Sequence, residues 1–174
     1  MGVERRVEVP EGVNAAFEGR LMRVTGPKGT LERNMRYPQV EVSCDGTEFV
    51  VSTQSDRRKI TAMCGTFAAH ARNMFKGVVD GYEYRMKVVY SHFPIQLKIS
   101  GNKVEITNFL GEREPRFARI DEGVDVKLGN DEITITGIDK ESVGTTAARI
   151  EAATRVRNRD PRVFQDGIYI VGKA

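Results

Sequence analysis

Val40-Glu-Val-Ser-Cys-Asp-Gly-Thr-Glu-Phe-Val-Val-Ser52 places apolar side chains at alternate positions up to Asp45-Gly46 and resumes an apolar run beyond it. Asp-Gly between two such runs is among the strongest short-range signals for a β-hairpin. Directly after it, Ile60, Met63, Cys64, Phe67, Ala71, Met74 and Phe75 recur at steps of three and four. That period is helical, and Ser55 or Asp56 offers an N-terminal cap. The helix is expected to run through Lys76 and to stop at Gly77. A hairpin followed by a long amphipathic helix makes a two-layer α+β unit.

The same order returns later. Sliding the chain by 84 places sets Val40-Glu-Val42 on Val124-Asp-Val126, Glu48 on Glu132, Phe49 on Ile133 and Val51 on Ile135. Thr61 then falls on Thr145, Ala68-Ala69 on Ala152-Ala153 and, after a slip of two, Asp80-Gly81 on Asp166-Gly167. The chain therefore reads as two tandem copies of one unit, each a small, mostly antiparallel β-sheet packed on one long α-helix. The first domain is expected over residues 1–92 and the second over 93–174, with the joint at His92 to Pro94. Units of about eighty residues have modest cores, so the copies are expected to dock on each other or on a partner.

Outward from these elements, Val7-Glu-Val9 reads as a short strand, and residues 20–25 and 30–33 form a hairpin around Gly26-Pro-Lys-Gly29. A long β-prone run covers residues 82–90, and Ile95, Leu97 and Ile99 alternate into Gly101-Asn102, which turns the chain into Val104-Glu-Ile106.

The chain has 174 residues, 40% hydrophobic and 29% charged, with a formal charge of +3 and a pI near 8.9. That is the composition of a globular protein with a mild basic excess. Two cysteines, no long apolar run and no apolar signal core point to a soluble protein of a reducing, cytoplasmic compartment. Arg6 breaks the myristoylation pattern that Met1-Gly2 would begin.

Little in the chain suits catalysis or a cofactor. His70 and His92 are the only histidines, and neither accompanies a Ser or Cys nucleophile motif. Cys44, Cys64, His70 and His92 fit no structural zinc spacing, so no metal site is expected. Gly26-Pro-Lys-Gly29 lacks the spacing of a phosphate loop and joins two strands, which makes it a turn with Lys28 at its tip, available to an anion.

The chemistry that does stand out is cationic. Between Arg155 and Lys173 lie Arg155, Arg157, Arg159, Arg162 and Lys173, with Asp160-Pro161 bending the backbone among them. A guanidinium fork grips phosphate through two bonds, and Asn158 and Gln165 add neutral donors and acceptors. The bland alternative is a solvated helix end followed by a strand. Basic loop tips beside Tyr82, Tyr84, Phe93 and Phe164, read as exposed aromatics, suit folded RNA. Lys28, His70, Asn73 and His92 are possible further RNA contacts.

Three segments carry a family resemblance: residues 73–94, Asn108-Phe-Leu-Gly-Glu112, and residues 155–170 with the signature Arg162-Val-Phe-Gln-Asp-Gly-Ile-Tyr169. They resemble large-subunit ribosomal protein six in its archaeal and eukaryotic form, and the likeness runs from Val7 to Lys173. The resemblance implies a structural constituent of the large ribosomal subunit, not an enzyme, with two duplicated α+β domains. It implies binding to large-subunit ribosomal RNA near the stalk base and the docking region of translation factors, beside neighbouring ribosomal proteins. No membrane, cofactor or small-molecule substrate is implied. The RNA contacts carried over are Arg155, Arg157, Asn158, Arg159, Arg162, Gln165 and Lys173. Asp80 and Glu83 depart from residues that are often basic in eukaryotic members. A non-ribosomal RNA chaperone or assembly factor with similar surfaces is the alternative.

Overall fold

The computed structural model describes residues 2–174, and the chain divides into two compact units, Met1–Gly81 and Tyr82–Ala174. In unit 1, β1 (Val3–Glu8), β5 (Glu41–Cys44) and β6 (Glu48–Thr53) form an antiparallel sheet in the order β1-β6-β5. A second antiparallel sheet joins β2 (Asn14–Glu18), β3 (Leu21–Gly26) and β4 (Gly29–Asn34). Helix α1 (Arg58–Val79) packs on both. Met22, Val24, Phe49, Val51, Cys64, Phe67, Ala71 and Val78 close the core between them.

The helix ends differ from the expected ones. Its N-cap is Arg57, without a side-chain cap bond, while Ser55 Oγ accepts from the Arg57 N–H at 3.4 Å. It runs past Gly77 to Val79 because the left-handed conformation that ends a helix falls on Gly81, at φ +74°, whose N–H bonds the Lys76 carbonyl at 3.3 Å.

Unit 2 contains β7 (Tyr82–Val89), β8 (Gln96–Ser100), β9 (Lys103–Thr107), β10 (Arg116–Arg119), β11 (Val124–Leu128), β12 (Glu132–Gly137), α2 (Lys140–Ala153) and β13 (Gly167–Lys173). One sheet runs β11-β12-β7-β13 and the other β10-β9-β8, all antiparallel. Asp139 caps α2 by accepting from the N–H groups of Glu141 and Ser142. The core gathers Met86, Val104, Ile106, Phe109, Ile133, Ile135, Val143, Ile150 and Ile168.

The duplication is visible strand by strand, with β6 and β12 84 residues apart and β2-β3-β4 answered by β8-β9-β10. Two details correct the reading from sequence. The division falls at Gly81, not at residue 92, because β7 pairs with β12 and β13 and so takes in unit 2 the place β1 takes in unit 1. Its alternation explains this: Tyr82, Tyr84, Met86 and Val88 all turn inward and are buried, so Tyr82 and Tyr84 are core side chains and not exposed aromatics. The helices correspond at a spacing of 79 instead of 84. Buried Cys64, Phe67, Ala68 and Ala71 match buried Val143, Thr146, Ala147 and Ile150, setting Gly65-Thr66 on Gly144-Thr145. No helix among the described residues is long and apolar enough to cross a membrane.

Candidate nucleic-acid interface

Between α2 and β13 the chain leaves regular structure for residues 154–166, the segment that holds the arginines. Asp160 shapes its middle. Its carboxylate accepts from the Arg162 N–H at 2.9 Å, and its carbonyl accepts from the N–H groups of Val163 and Phe164 at 3.1 and 3.0 Å. Pro161 presets the φ angle that such a turn needs, and Asn158 adds a left-handed residue at φ +58°.

Both ends of this loop are fastened. At the start, Arg116 donates to the carbonyls of Ala153 (2.8 Å) and Arg155 (3.1 Å) and holds Glu112 through a two-point bridge of 2.7 and 2.6 Å. Its guanidinium also lies 4.4 Å over the Phe109 ring. At the finish, the buried carboxylate of Asp166 accepts from the backbone N–H groups of Ser91 and His92 and pairs with the His92 ring. Burial alone would raise this carboxyl, but the bonds from His92 and Ser91 outweigh it and hold it below its ordinary range. The ends also meet each other, since the Thr154 hydroxyl, itself buried, accepts from Ile168 N–H at 3.0 Å.

On this frame Arg155, Arg157, Arg159 and Arg162 are all exposed. Among the described residues, no hydrogen bond or ion pair engages the guanidinium groups of Arg155, Arg157 and Arg162. Arg159 lies 4.8 Å over the Phe164 ring, which stacks on His92. Its charge also helps to hold Glu112 below the ordinary carboxylate range, after the larger effect of the Arg116 hydrogen bond. Asn158 and Gln165 are exposed in the same loop.

Of the other sequence candidates, His92 reaches the loop, Lys173 stands on β13, and Lys28, His70 and Asn73 belong to unit 1. Lys173 closes β13, six residues beyond Gly167, which is about 20 Å of strand. Its ammonium sits 5.6 Å over the Tyr84 ring. Lys28 is not a free tip: its N–H bonds the Val78 carbonyl at 3.0 Å and its ammonium bonds the Asp80 carbonyl, so it caps the C-terminus of α1. His70 and Asn73 are half-buried on α1, in unit 1. His92 serves Asp166 and Phe164. Sequence reasoning missed Arg116, Thr154 and Asp166 as parts of this arrangement. Glu112 and Arg116, spaced four apart, were its one local hint.

A family model described as "Ribosomal protein L6" matches residues 9–81 and again 93–167. The chain belongs to the ribosomal protein L6 family. It is thus a ribosomal protein of structural kind and not an enzyme, and the double match repeats the duplication seen in the fold. It is similar to the large ribosomal subunit protein uL6 of Methanospirillum hungatei, at 56% identity over all of this chain and 99% of that one. The protein of the same name from Methanothrix thermoacetophila is 54% identical over 98% of this chain and 97% of that one. For Methanosarcina mazei the figures are 46%, 99% and 98%.

Proposed function

We propose that this protein clasps large-subunit ribosomal RNA with the loop between α2 and β13, close to the stalk base and the region where translation factors dock. As a member of the L6 family it is a constituent of the large subunit in the cytoplasmic ribosome, with ribosomal RNA and neighbouring ribosomal proteins as its partners. One observation carries the reading. Three exposed guanidinium groups without an acidic partner stand on a loop tied down at Arg116, Thr154 and Asp166.

Each phosphate that such a group neutralises releases condensed counterions, which makes binding strong and salt-dependent. A loop already ordered loses little entropy when it binds. Asn158 and Gln165 supply the neutral donors and acceptors that read 2′-hydroxyl and phosphate edges. Lys173, at the far end of β13, is a separate contact with the same RNA. His70 and Asn73 extend the contact to unit 1, whereas His92 acts by holding Asp166 and Phe164 in place.

Sedimentation and protease protection test this together. The tagged protein should run with large subunits in a sucrose gradient, and a purified rRNA fragment should shield cleavage at Arg157 and Arg159. A protein recovered free of particles would favour a transient assembly factor. A loop still cut in the RNA-bound state would place the contact elsewhere.

A further inference from the structure

The arginine loop also closes a cleft. Glu151 on the last turn of α2 lines it together with Val156, Pro161, Phe164, Tyr169 and Arg155, around about 530 Å³. That volume lies within the range of sites that hold small planar ligands. Its walls are held in place. The Tyr169 hydroxyl donates to the Gln165 carbonyl at 3.0 Å, which holds the side chain of this 42% exposed residue in a fixed pose. Phe164 is fixed by the stacked His92 ring and by Arg159 above it.

The polar groups decide what fits. A carboxylate on the wall turns phosphate away, and Glu151 accepts from the Ile170 N–H through one oxygen at 3.4 Å. A flat ring with N–H donors on its edge suits such a carboxylate, and its faces suit aromatic and proline walls. The phosphate of the same nucleotide would stay outside, where Arg155 and its neighbours are exposed. We propose that this cleft takes one unstacked nucleobase of the bound RNA, so that the loop grips backbone and base together. The inference rests on the loop being the RNA surface.

Three variants and one RNA series test it, using rRNA stripped of protein and the fragment that it protects. Ala152→Trp projects a bulky ring into the cleft from an exposed helix position, and Tyr169→Ala removes a wall. Each should weaken binding roughly 5- to 150-fold, the worth of one stacked base, with the salt slope unchanged. Tyr169→Phe, which keeps the ring and loses only its bond to the Gln165 carbonyl, should weaken binding less than Tyr169→Ala. Replacing nucleotides one at a time by abasic sites should reveal one position that costs wild type a similar factor and costs Ala152→Trp nothing further. Wild-type affinity in a folded Ala152→Trp protein, or no single sensitive abasic position, overturns the inference. The abasic series on wild-type protein depends on no variant folding. Unchanged binding after loss of the loop arginines would instead remove the RNA surface itself, a separate result.

Discussion

Asp166 Oδ1 stands 3.1 Å from His92 Nδ1, and Asp166 Oδ2 accepts the N–H groups of Ser91 and His92 at 3.2 and 3.3 Å. One carboxylate thereby fastens the end of the arginine loop to the chain just beyond β7, some seventy-five residues earlier. It is almost wholly buried, so water cannot replace these partners.

Asp166→Asn should therefore destabilise the protein by about 1.5–3 kcal/mol at neutral pH, the cost of losing hydrogen bonds to a buried charge. Because the folded carboxyl titrates below its unfolded value, its contribution is complete above about pH 4 and is lost as pH falls through the depressed folded value. Denaturant melts across that window should show wild type losing stability toward acid while the gap to Asp166→Asn narrows. A constant gap would mean that the carboxylate charge is not what holds the loop.

Arg116 fastens the other end, and lysine cannot reproduce its fork. Arg116→Lys keeps the charge but loses the two-point hold on Glu112 and the pair of bonds to the Ala153 and Arg155 carbonyls. RNA affinity should fall several-fold with a nearly constant salt slope, because position is lost and charge is not. A changed slope with unchanged protease sensitivity of the loop would make Arg116 a direct phosphate contact.

Two glycines of unit 1 should respond in opposite directions. A Cβ on Gly26 would stand 2.6 and 2.8 Å from Val78 side-chain atoms and 3.0 Å from the Val78 carbonyl, so Gly26→Ala forces the β3–β4 turn off the end of α1. The cost should be about 1–3 kcal/mol. Gly65 lies exposed inside α1 with nothing within 4 Å of a built Cβ, and Gly65→Ala should stabilise by about 0.5–1 kcal/mol. Thermal melts of both variants check the pair.

Phe67 fills the first core from the middle of α1 and is 6% exposed. Phe67→Ala should cost about 3–5 kcal/mol in equilibrium unfolding. A loss under 1 kcal/mol would mean that the core closes without it.

Much of this architecture is legible in one-dimensional pattern, because alternation and helical period report which side chains face a core. The Asp45-Gly46 hairpin, the long helix and their recurrence 84 residues later all follow from such local signals. What a local pattern does not encode is which sheet a strand joins. The β-run after Gly81 reads in sequence as part of the first copy, yet pairing with β12 and β13 assigns it to the second. Helix register failed for a similar reason, since the stretch between β6 and the first shared buried position is five residues longer than its counterpart. At the loop, charge was legible and support was not. Arg155, Arg157 and Arg162 announce themselves by composition, whereas Arg116, Thr154 and Asp166 matter through partners distant in sequence. Lys28 shows the opposite error, a cation that looks available until the carbonyls of Val78 and Asp80 are seen beside it.

The central claim is that the exposed guanidinium groups of the loop hold ribosomal RNA by neutralising its phosphates. The most direct measurement is the salt dependence of binding to stripped large-subunit rRNA for wild type and for the combined variant Arg157→Ala, Arg159→Ala, Arg162→Ala. Affinity should fall and the slope of log affinity against log salt should become shallower by about 2 to 3. A folded triple variant with wild-type affinity and slope would contradict the account.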